Sequence, residues 1–413
     1  MTDGRQPVLV LANRLPYPVD DGWKTRTFHI IQGLSRHAPL TLLTFHDGAA
    51  ADVDAFRHAA GGGIDVVTVP APRPHTPDRL LLGLVTPTPV YVWNLRSRRF
   101  SSVLRDLVAS IRPGVAVAEL TYMYPYLHAL PPTVRRVIDT HNVDSVLLGR
   151  YASGHRGILV RRYAALTARK LRRFENRAYT GVEQVWVCSD EDAGLAADIA
   201  PRAGIRTIPN GVDTEYIRPA ADGEVEPGRL LFFGRMDYEP NRDAVRYFAR
   251  SILPTLRSIA DNVELRVVGP GIGPELRELA ADAPEIRLVG RVDDLRPELA
   301  AATAVIVPLR MGGGTRLKIL EAMAAGKAIV STTIGAEGLD VSDAEEILIA
   351  DSPGEFARAV GTVLADPDLR RRLGAAARRM VEHRYDWGRI KVAAAESLWP
   401  AGSRPVVERV TTP

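Results

Sequence analysis

Short runs of apolar, often β-branched residues alternate along this chain with amphipathic stretches, and the alternation is run through twice. Residues 7–12, 40–45, 64–69, 115–119, 134–139 and 184–188 are nearly continuous apolar runs. A strand with one solvated face would alternate polar and apolar residues. An unbroken run means burial on both faces, as in a parallel sheet covered by helices. The stretch 25–36 has helical period, with Phe28, Ile31 and Leu34 on one side. A polar, Pro- and Gly-containing linker follows within 209–228, opened by the turn pair Asn210-Gly211. The pattern then restarts. Strands are predicted at 229–233, 263–268, 286–289, 304–308, 328–331 and 347–349. Helices are predicted at 243–260, 274–282, 295–302 and 315–325, with more from 355 to 383 and a last one at 388–398. The expectation is two α/β units in tandem, which place ligands at the carboxyl ends of their strands.

Bulk properties agree. At 413 residues the chain is too long for one ordinary domain, and 46% hydrophobic with 25% charged content is that of a globular protein. One cysteine, Cys188, excludes a disulfide framework and a cysteine metal cluster. The net charge of +4 suits an anionic small substrate or an anionic membrane surface and is too weak to argue for nucleic acid. The apolar run 8–12 is too short for a signal peptide, and nothing approaches a membrane span. A cytoplasmic protein is expected, able at most to lie on the inner face of a membrane. The basic stretch 156–179 has two readings: a solvated helix face, or a patch that rests on anionic lipid or guides an anionic acceptor.

The segment from Pro308 to Gly326, PLRMGGGTRLKILEAMAAG, carries the chemistry. A strand ends, three glycines follow, and a helix is predicted to begin near Thr315. Glycines let backbone approach a ligand, and N–H groups with a helix dipole favour an anion such as a diphosphate. Lys318 falls in the first turn and Glu321 at i+3 on the same face. A cation for phosphate and a carboxylate for paired sugar hydroxyls make sense together. A Gly-rich helix start with a surface Lys-Glu pair is the alternative.

This segment resembles the donor-binding stretch of GT-B glycosyltransferases, in particular the large retaining family called glycosyl transferases group 1 (glycosyltransferase family 4). Ile208-Pro-Asn-Gly-Val-Asp213 is similar to that family's inter-domain signature. Leu231-Phe-Phe-Gly-Arg235, Val267-Val-Gly269 and Leu288-Val-Gly-Arg291 are similar to its strand ends. Thr140-His-Asn142 resembles its histidine loop, and residues 16–26, with Gly22 and Lys24, its first glycine loop. The resemblance implies a GT-B fold: two Rossmann-like domains (1–208 for the acceptor, 209–386 for the nucleotide-sugar donor) with parallel sheets facing a central cleft. A helix and tail at 387–413 would cross back to the first domain. It implies diphosphate binding by Arg235 and Lys318, with His141 beside the donor sugar. Donor contacts are implied at Gly22, Lys24, Gly234, Arg291, Val292, Gly312, Gly313, Gly314 and Thr315, and a ribose contact at Glu321. The Gly-Gly-Gly-Thr-Arg-Leu-Lys variant looks closest to transferases of surface polysaccharide.

Two positions depart from the family pattern. Gly313 stands where many members carry a sugar-contacting Glu, and Asn241 near where many carry a Lys. Lys318 is then expected to carry more of the phosphate load. Gly269-Pro-Gly-Ile-Gly273 has the wrong spacing for a dinucleotide fingerprint. Asp20-Asp21 and Asp293-Asp294 read as loop or cap residues rather than a metal motif, and no metal or cofactor is expected. The expected activity is transfer of a sugar, with retention implied by the resemblance, from a nucleotide-diphosphate sugar to an acceptor hydroxyl on a glycan, lipid-linked or natural-product acceptor. The rival readings are a non-catalytic sugar-nucleotide-binding subunit, or an epimerase or phosphorylase of the same architecture.

Overall fold

The computed structural model describes residues 6–154, 157–220 and 224–399. The predicted start of the long basic helix at Arg156, residues 221–223 of the predicted linker, and the tail 400–413 lie outside the described residues. The chain divides into two compact units, Met1–Pro209 with Lys391–Pro413, and Asn210–Ile390.

The first unit is built on seven parallel strands: β1 (Val8–Ala12), β2 (Leu40–Phe45), β3 (Ile64–Val69), β4 (Val115–Glu119), β5 (Arg135–Asp139), β6 (Gln184–Val187) and β7 (Ile205–Thr207). Their order is β3-β2-β1-β4-β5-β6-β7. All residues of β1, β2, β4 and β6 are buried, as unbroken apolar runs require. Leu9, Leu11, Leu43, Phe45, Ala116, Ala118, Ile138 and Val185 form its core with Phe100 and Tyr179 from the flanking helices. The second half of the last helix, Trp387–Leu398, belongs to this unit. Lys391 donates to Gln32, and Arg135 donates to the Leu398 carbonyl at 2.7 Å.

The second unit repeats the plan with six parallel strands: β8 (Arg229–Phe233), β9 (Glu264–Val268), β10 (Ile286–Gly290), β11 (Ala304–Val307), β12 (Ala328–Ser331) and β13 (Leu348–Ile349), ordered β10-β9-β8-β11-β12-β13. In each unit the winding reverses beside the first strand, between β1 and β4 and between β8 and β11. Loops on either side of such a reversal part at the carboxyl ends of the strands and open a crevice there.

The two-unit α/β class is the one the sequence predicts, and the differences are local. The helix predicted at 243–260 begins earlier, at Glu239, because Pro240 fits a first turn. It passes into a wider π turn at Phe248–Ile252 before Leu253–Leu256. Pro254 cannot donate to the turn behind it, and the widened turn absorbs the missing bond. The helix predicted from Thr315 starts at Leu317: Gly312 (φ 120°) and Gly314 (φ 74°) hold the glycine segment in conformations that a helix excludes. Several helices escaped the sequence reading, among them Ala50–Ala60, Pro77–Val85, Arg98–Ile111, Asp144–Gly154 and Asp190–Ile199, as did β7.

Candidate active site

In the second unit the site is assembled around the reversal between β8 and β11. Gly234 ends β8 with φ 138°, and a Cβ there would meet the Asn241 amide nitrogen at 2.9 Å and the Lys318 Nζ at 3.3 Å. Glycine is required by both backbone angle and space. Lys318, from the first turn of the Leu317–Ala324 helix, donates to Asn241 Oδ1 at 2.7 Å. The same amide donates from Nδ2 to the Arg235 carbonyl at 2.8 Å. Asn241 is buried, and Lys318 Nζ also lies 4.1 Å from the centroid of the Phe232 ring. The ammonium is therefore held between the Asn241 amide and the Phe232 ring.

Burial lowers Lys318 from the usual lysine value to about 7, with Arg316 adding and Glu321 opposing. Burial likewise raises Glu321 to about 7 against the pull of Lys318. A cation and an anion thus meet at one helix start, and burial disfavours the charged form of each.

The glycine loop is shaped by a residue that the sequence gave no role. Arg316 is buried, donates from Nη1 to the Gly313 carbonyl at 2.5 Å and from Nη2 to the Ile334 carbonyl at 3.3 Å. It pins the loop over the helix start. Arg235, by contrast, is half exposed and paired with Asp237 at 2.5 Å. A cavity of about 630 Å³ lies at the ends of β9 and β10, lined by Gly269, Pro270, Gly271, Ile272 and Arg291 among others. Val292 follows it, partly buried.

In the first unit the ends of β4 and β5 carry a second cluster. His141 Nε2 lies 3.0 Å from Glu119 Oε2, and Thr27 donates to Glu119 Oε1 at 2.6 Å. Arg26, fully buried, grips Asp139 through Nε at 3.0 Å and Nη2 at 2.5 Å, and donates from Nη1 to the Ile208 carbonyl at 2.8 Å. Desolvation lowers the Arg26 proton affinity, but Asp139 outweighs it and leaves the guanidinium firmly charged. Burial pushes Glu119 up, with His141 pulling the other way. Leu120, directly after Glu119, sits at φ 70°, a conformation that strains an L side chain. Trp23 stacks on the His141 ring at 6.4 Å between centroids and lies under Arg14.

Among the described residues, Glu119, Asp139 and His141 form the group close enough together to chelate a cation, their ligand atoms lying within 4.8 Å of one another. Arg26 already sets a positive charge on Asp139 there.

Of the residues singled out in the sequence, the second unit thus brings together Gly234, Lys318 and the backbone of Arg235, with Glu321 on the same helix and Gly312, Gly313, Gly314 and Thr315 in the loop before it. Arg291 and Val292 stand apart at the end of β10. In the first unit Gly22 and Lys24 open the Gly22–Ser35 helix. Asp21 caps that helix by accepting from the Lys24 backbone, while the Lys24 ammonium pairs with Asp20 at 2.7 Å. Trp23, between them, is what reaches His141. Glu119, Trp23, Arg26 and Arg316 were missed. The one available signal was a carboxylate ending an apolar strand, at Glu119.

Residues 227–366 match the family described as "Glycosyl transferases group 1". Over 188 residues the chain is 37% identical to the phosphatidyl-myo-inositol mannosyltransferase of Mycolicibacterium smegmatis, covering 44% of this chain and 48% of that protein. Over 236 residues it is 29% identical to the GDP-mannose-dependent alpha-(1-6)-phosphatidylinositol monomannoside mannosyltransferase of Mycobacterium tuberculosis, covering 52% of this chain and 60% of that one. The chain spans about half the length of the curated relatives it matches. Among solved structures, sucrose-phosphate synthase from Thermosynechococcus elongatus superimposes with a TM-score of 0.71 at 16% identity, covering 95% of this chain and 98% of that one. Anabaena HepE in complex with UDP gives 0.68 at 15%, covering 95% and 99%. At these identities the likeness is one of fold, and it is the GT-B class expected from the sequence.

Proposed function

Starting from a second unit that matches the family described as glycosyl transferases group 1 over residues 227–366, we propose that the chain transfers a hexose from a nucleoside-diphosphate sugar to an acceptor hydroxyl. The observation that carries the reading is the Lys318 ammonium, clamped by Asn241 at the end of β8 beneath a glycine loop that Arg316 holds open. A diphosphate laid against Gly234 would meet the Lys318 ammonium and backbone N–H groups, with no Cβ at position 234 in its way. Arg235 would leave Asp237 for the phosphate, and Glu321 would accept from the ribose diol. The cavity at the ends of β9 and β10, with Arg291 and Val292 at its edge, suits the base.

The proposed mechanism is a same-face, dissociative substitution with retention. Charge building on the departing diphosphate is stabilised by Lys318 and Arg235, so no metal is required for that role. The departing phosphate oxygen takes the acceptor proton. Glu321 is the one carboxylate this reading assigns to the donor, so double displacement by a carboxylate pair is not invoked. His141 is assigned to a hydroxyl of the transferred sugar. GDP-mannose is the first donor to test, because relatives in the mannosyltransferase series use it by name. Their phosphatidylinositol acceptors make a lipid-borne polyol the first acceptor class.

Thermal-shift titration with guanosine, uridine and thymidine diphosphates and their hexoses tests the donor site, followed by transfer assays with the best donor. Stabilisation by a nucleoside diphosphate that is lost in Lys318→Ala supports the reading. A protein that none of these ligands stabilises would sink it.

A further inference from the structure

The helix Pro77–Val85 buries none of its residues, although its sequence, PDRLLLGLV, is mostly aliphatic. Leu80, Leu81, Leu84 and Val85 are 44–67% exposed. A helix of this composition ordinarily turns its leucines inward. Here the surface continues onto a second element. Lys170, in the helix Ile158–Thr180, donates to the Gly83 and Leu84 carbonyls at 2.9 and 2.6 Å, so the two helices touch. Tyr163 and Leu166, two turns and one turn before Lys170 on the same helical stripe, are 50% and 41% exposed. Leucines on one helix thus join a tyrosine and a leucine on the next in one apolar surface, larger than the single exposed leucines that need no explanation.

The charge around it is mostly positive, with Asp78 in the first turn of the Pro77–Val85 helix as the exposed acid. The helix Ile158–Thr180 carries seven basic residues and one acid, Glu175, which is buried. Arg161, Arg162 and Arg169 are exposed beside the apolar stripe. Protein partners tend to present mixed charge and aromatic anchors at such a surface, and lysine is depleted from their cores. A mostly aliphatic surface with one tyrosine, rimmed chiefly by arginine and lysine, complements acyl chains beneath anionic headgroups. Among the described residues no helix is long and apolar enough to cross a membrane.

We propose that this surface, the helix Pro77–Val85 together with the 158–170 stretch of its neighbour, seats the protein on an anionic membrane. The leucines enter the headgroup boundary, and the arginines lie against lipid phosphates. The surface also leads towards the first-unit cluster. Tyr91, exposed beside Tyr163, stacks on Tyr122 at 5.3 Å, and Tyr122 hydrogen-bonds Asp144, three residues beyond His141. The proposal stands on this geometry and does not depend on the transferase reading.

The test is co-flotation of the full chain with vesicles of phosphatidylcholine alone and of phosphatidylcholine with phosphatidylglycerol. The expected result is capture by the anionic vesicles only, weakened by salt. Leu81→Asp with Leu84→Asp should weaken capture about tenfold or more, and Arg161→Glu with Arg162→Glu comparably. Both variants should keep the wild-type melting temperature and the wild-type response to nucleoside diphosphate, which reports on the other unit. Equal capture by both vesicle types, no capture, or capture unchanged in the variants would overturn the proposal. So would a concentration-dependent dimer that Leu81→Asp with Leu84→Asp dissolves, because the surface would then belong to a second copy. A chain that floats but ignores every nucleotide would leave this proposal standing while removing the donor site.

Discussion

Lys318 and Asn241 form the hinge of the candidate donor site: the ammonium donates to the amide oxygen at 2.7 Å, and the amide nitrogen returns the contact to the backbone of Arg235. Asn241 occupies the place where, by the family resemblance, a lysine would stand on the other side of the same space. The Asn241 amide orients the Lys318 ammonium instead of adding a second charge. Lys318→Ala should lower kcat/KM by about a hundredfold or more, the scale of losing one preorganised donor to a developing charge. The melting temperature should change little, since burial already disfavours the Lys318 ammonium and its loss removes that cost. Introducing Asn241→Lys into the Lys318→Ala chain should restore diphosphate affinity in part. Near wild-type turnover in Lys318→Ala, with donor saturating, contradicts the assignment.

Nucleotide affinity should depend on pH in a bell centred near neutrality. Lys318 is lowered to about 7 in the free protein. A bound diphosphate favours the ammonium, so binding takes up a proton above that value, and affinity falls as pH rises through it. Glu321 is raised to about 7. Ribose hydroxyls favour the carboxylate, so affinity also falls as pH drops through the same region. Each limb approaches about tenfold per pH unit. Calorimetric titration with a nucleoside diphosphate from about pH 5.5 to about pH 9 reads both limbs. Glu321→Gln should abolish the acid limb and keep the alkaline one. A flat profile in the wild-type chain refutes both roles.

Arg26 and Asp139 are a buried pair, 0% and 1% exposed, and Arg26 also holds the Ile208 carbonyl. Arg26→Leu leaves Asp139 buried without its counter-charge and should cost about 3–5 kcal/mol of stability in the first unit. Replacing both, Arg26→Leu with Asp139→Leu, should recover part of that loss, because no lone charge then remains. Calorimetric melting of the three proteins checks the order. A single variant as stable as the wild type would show that water or another group solvates Asp139.

The parts that could be read from the sequence are those whose chemistry is local. The apolar runs of β1, β4 and β8 are unbroken because both faces are covered, and run length alone then specifies a buried strand. Lys318 and Glu321 share a face because they are three residues apart on a helix. What stayed hidden is long-range or runs against habit. Arg26 meets Asp139 across 113 residues, and an arginine with no exposure is not what composition suggests. Glu119 looks like the polar end of a strand until His141 is seen beside it. Arg316 sits inside the glycine motif, yet its partners Gly313 and Ile334 are fixed only once the loop has folded. The helix Pro77–Val85 has no core face, so periodicity had nothing to report. Prolines at 87 and 89 made its leucines read as a short apolar run.

Glu119 should act on the reaction through His141. Its carboxylate accepts from Thr27 at 2.6 Å and lies 3.0 Å from the imidazole Nε2, which puts the ring proton on Nε2 and leaves Nδ1 as an acceptor. Glu119→Gln preserves size and still accepts from Thr27. Its amide N–H, however, can turn the ring nitrogen it faces into an acceptor and so move the imidazole proton to Nδ1. A sugar hydroxyl that donated to Nδ1 would then meet a donor. Turnover should fall about tenfold to a hundredfold, approaching that of His141→Ala. Affinity for the bare nucleoside diphosphate should stay at the wild-type value, since that ligand is assigned to the second unit. The split between kcat and diphosphate affinity separates positioning from unfolding. Should Glu119→Gln turn over like the wild type while His141→Ala does not, the ring is oriented by its stacking on Trp23 instead.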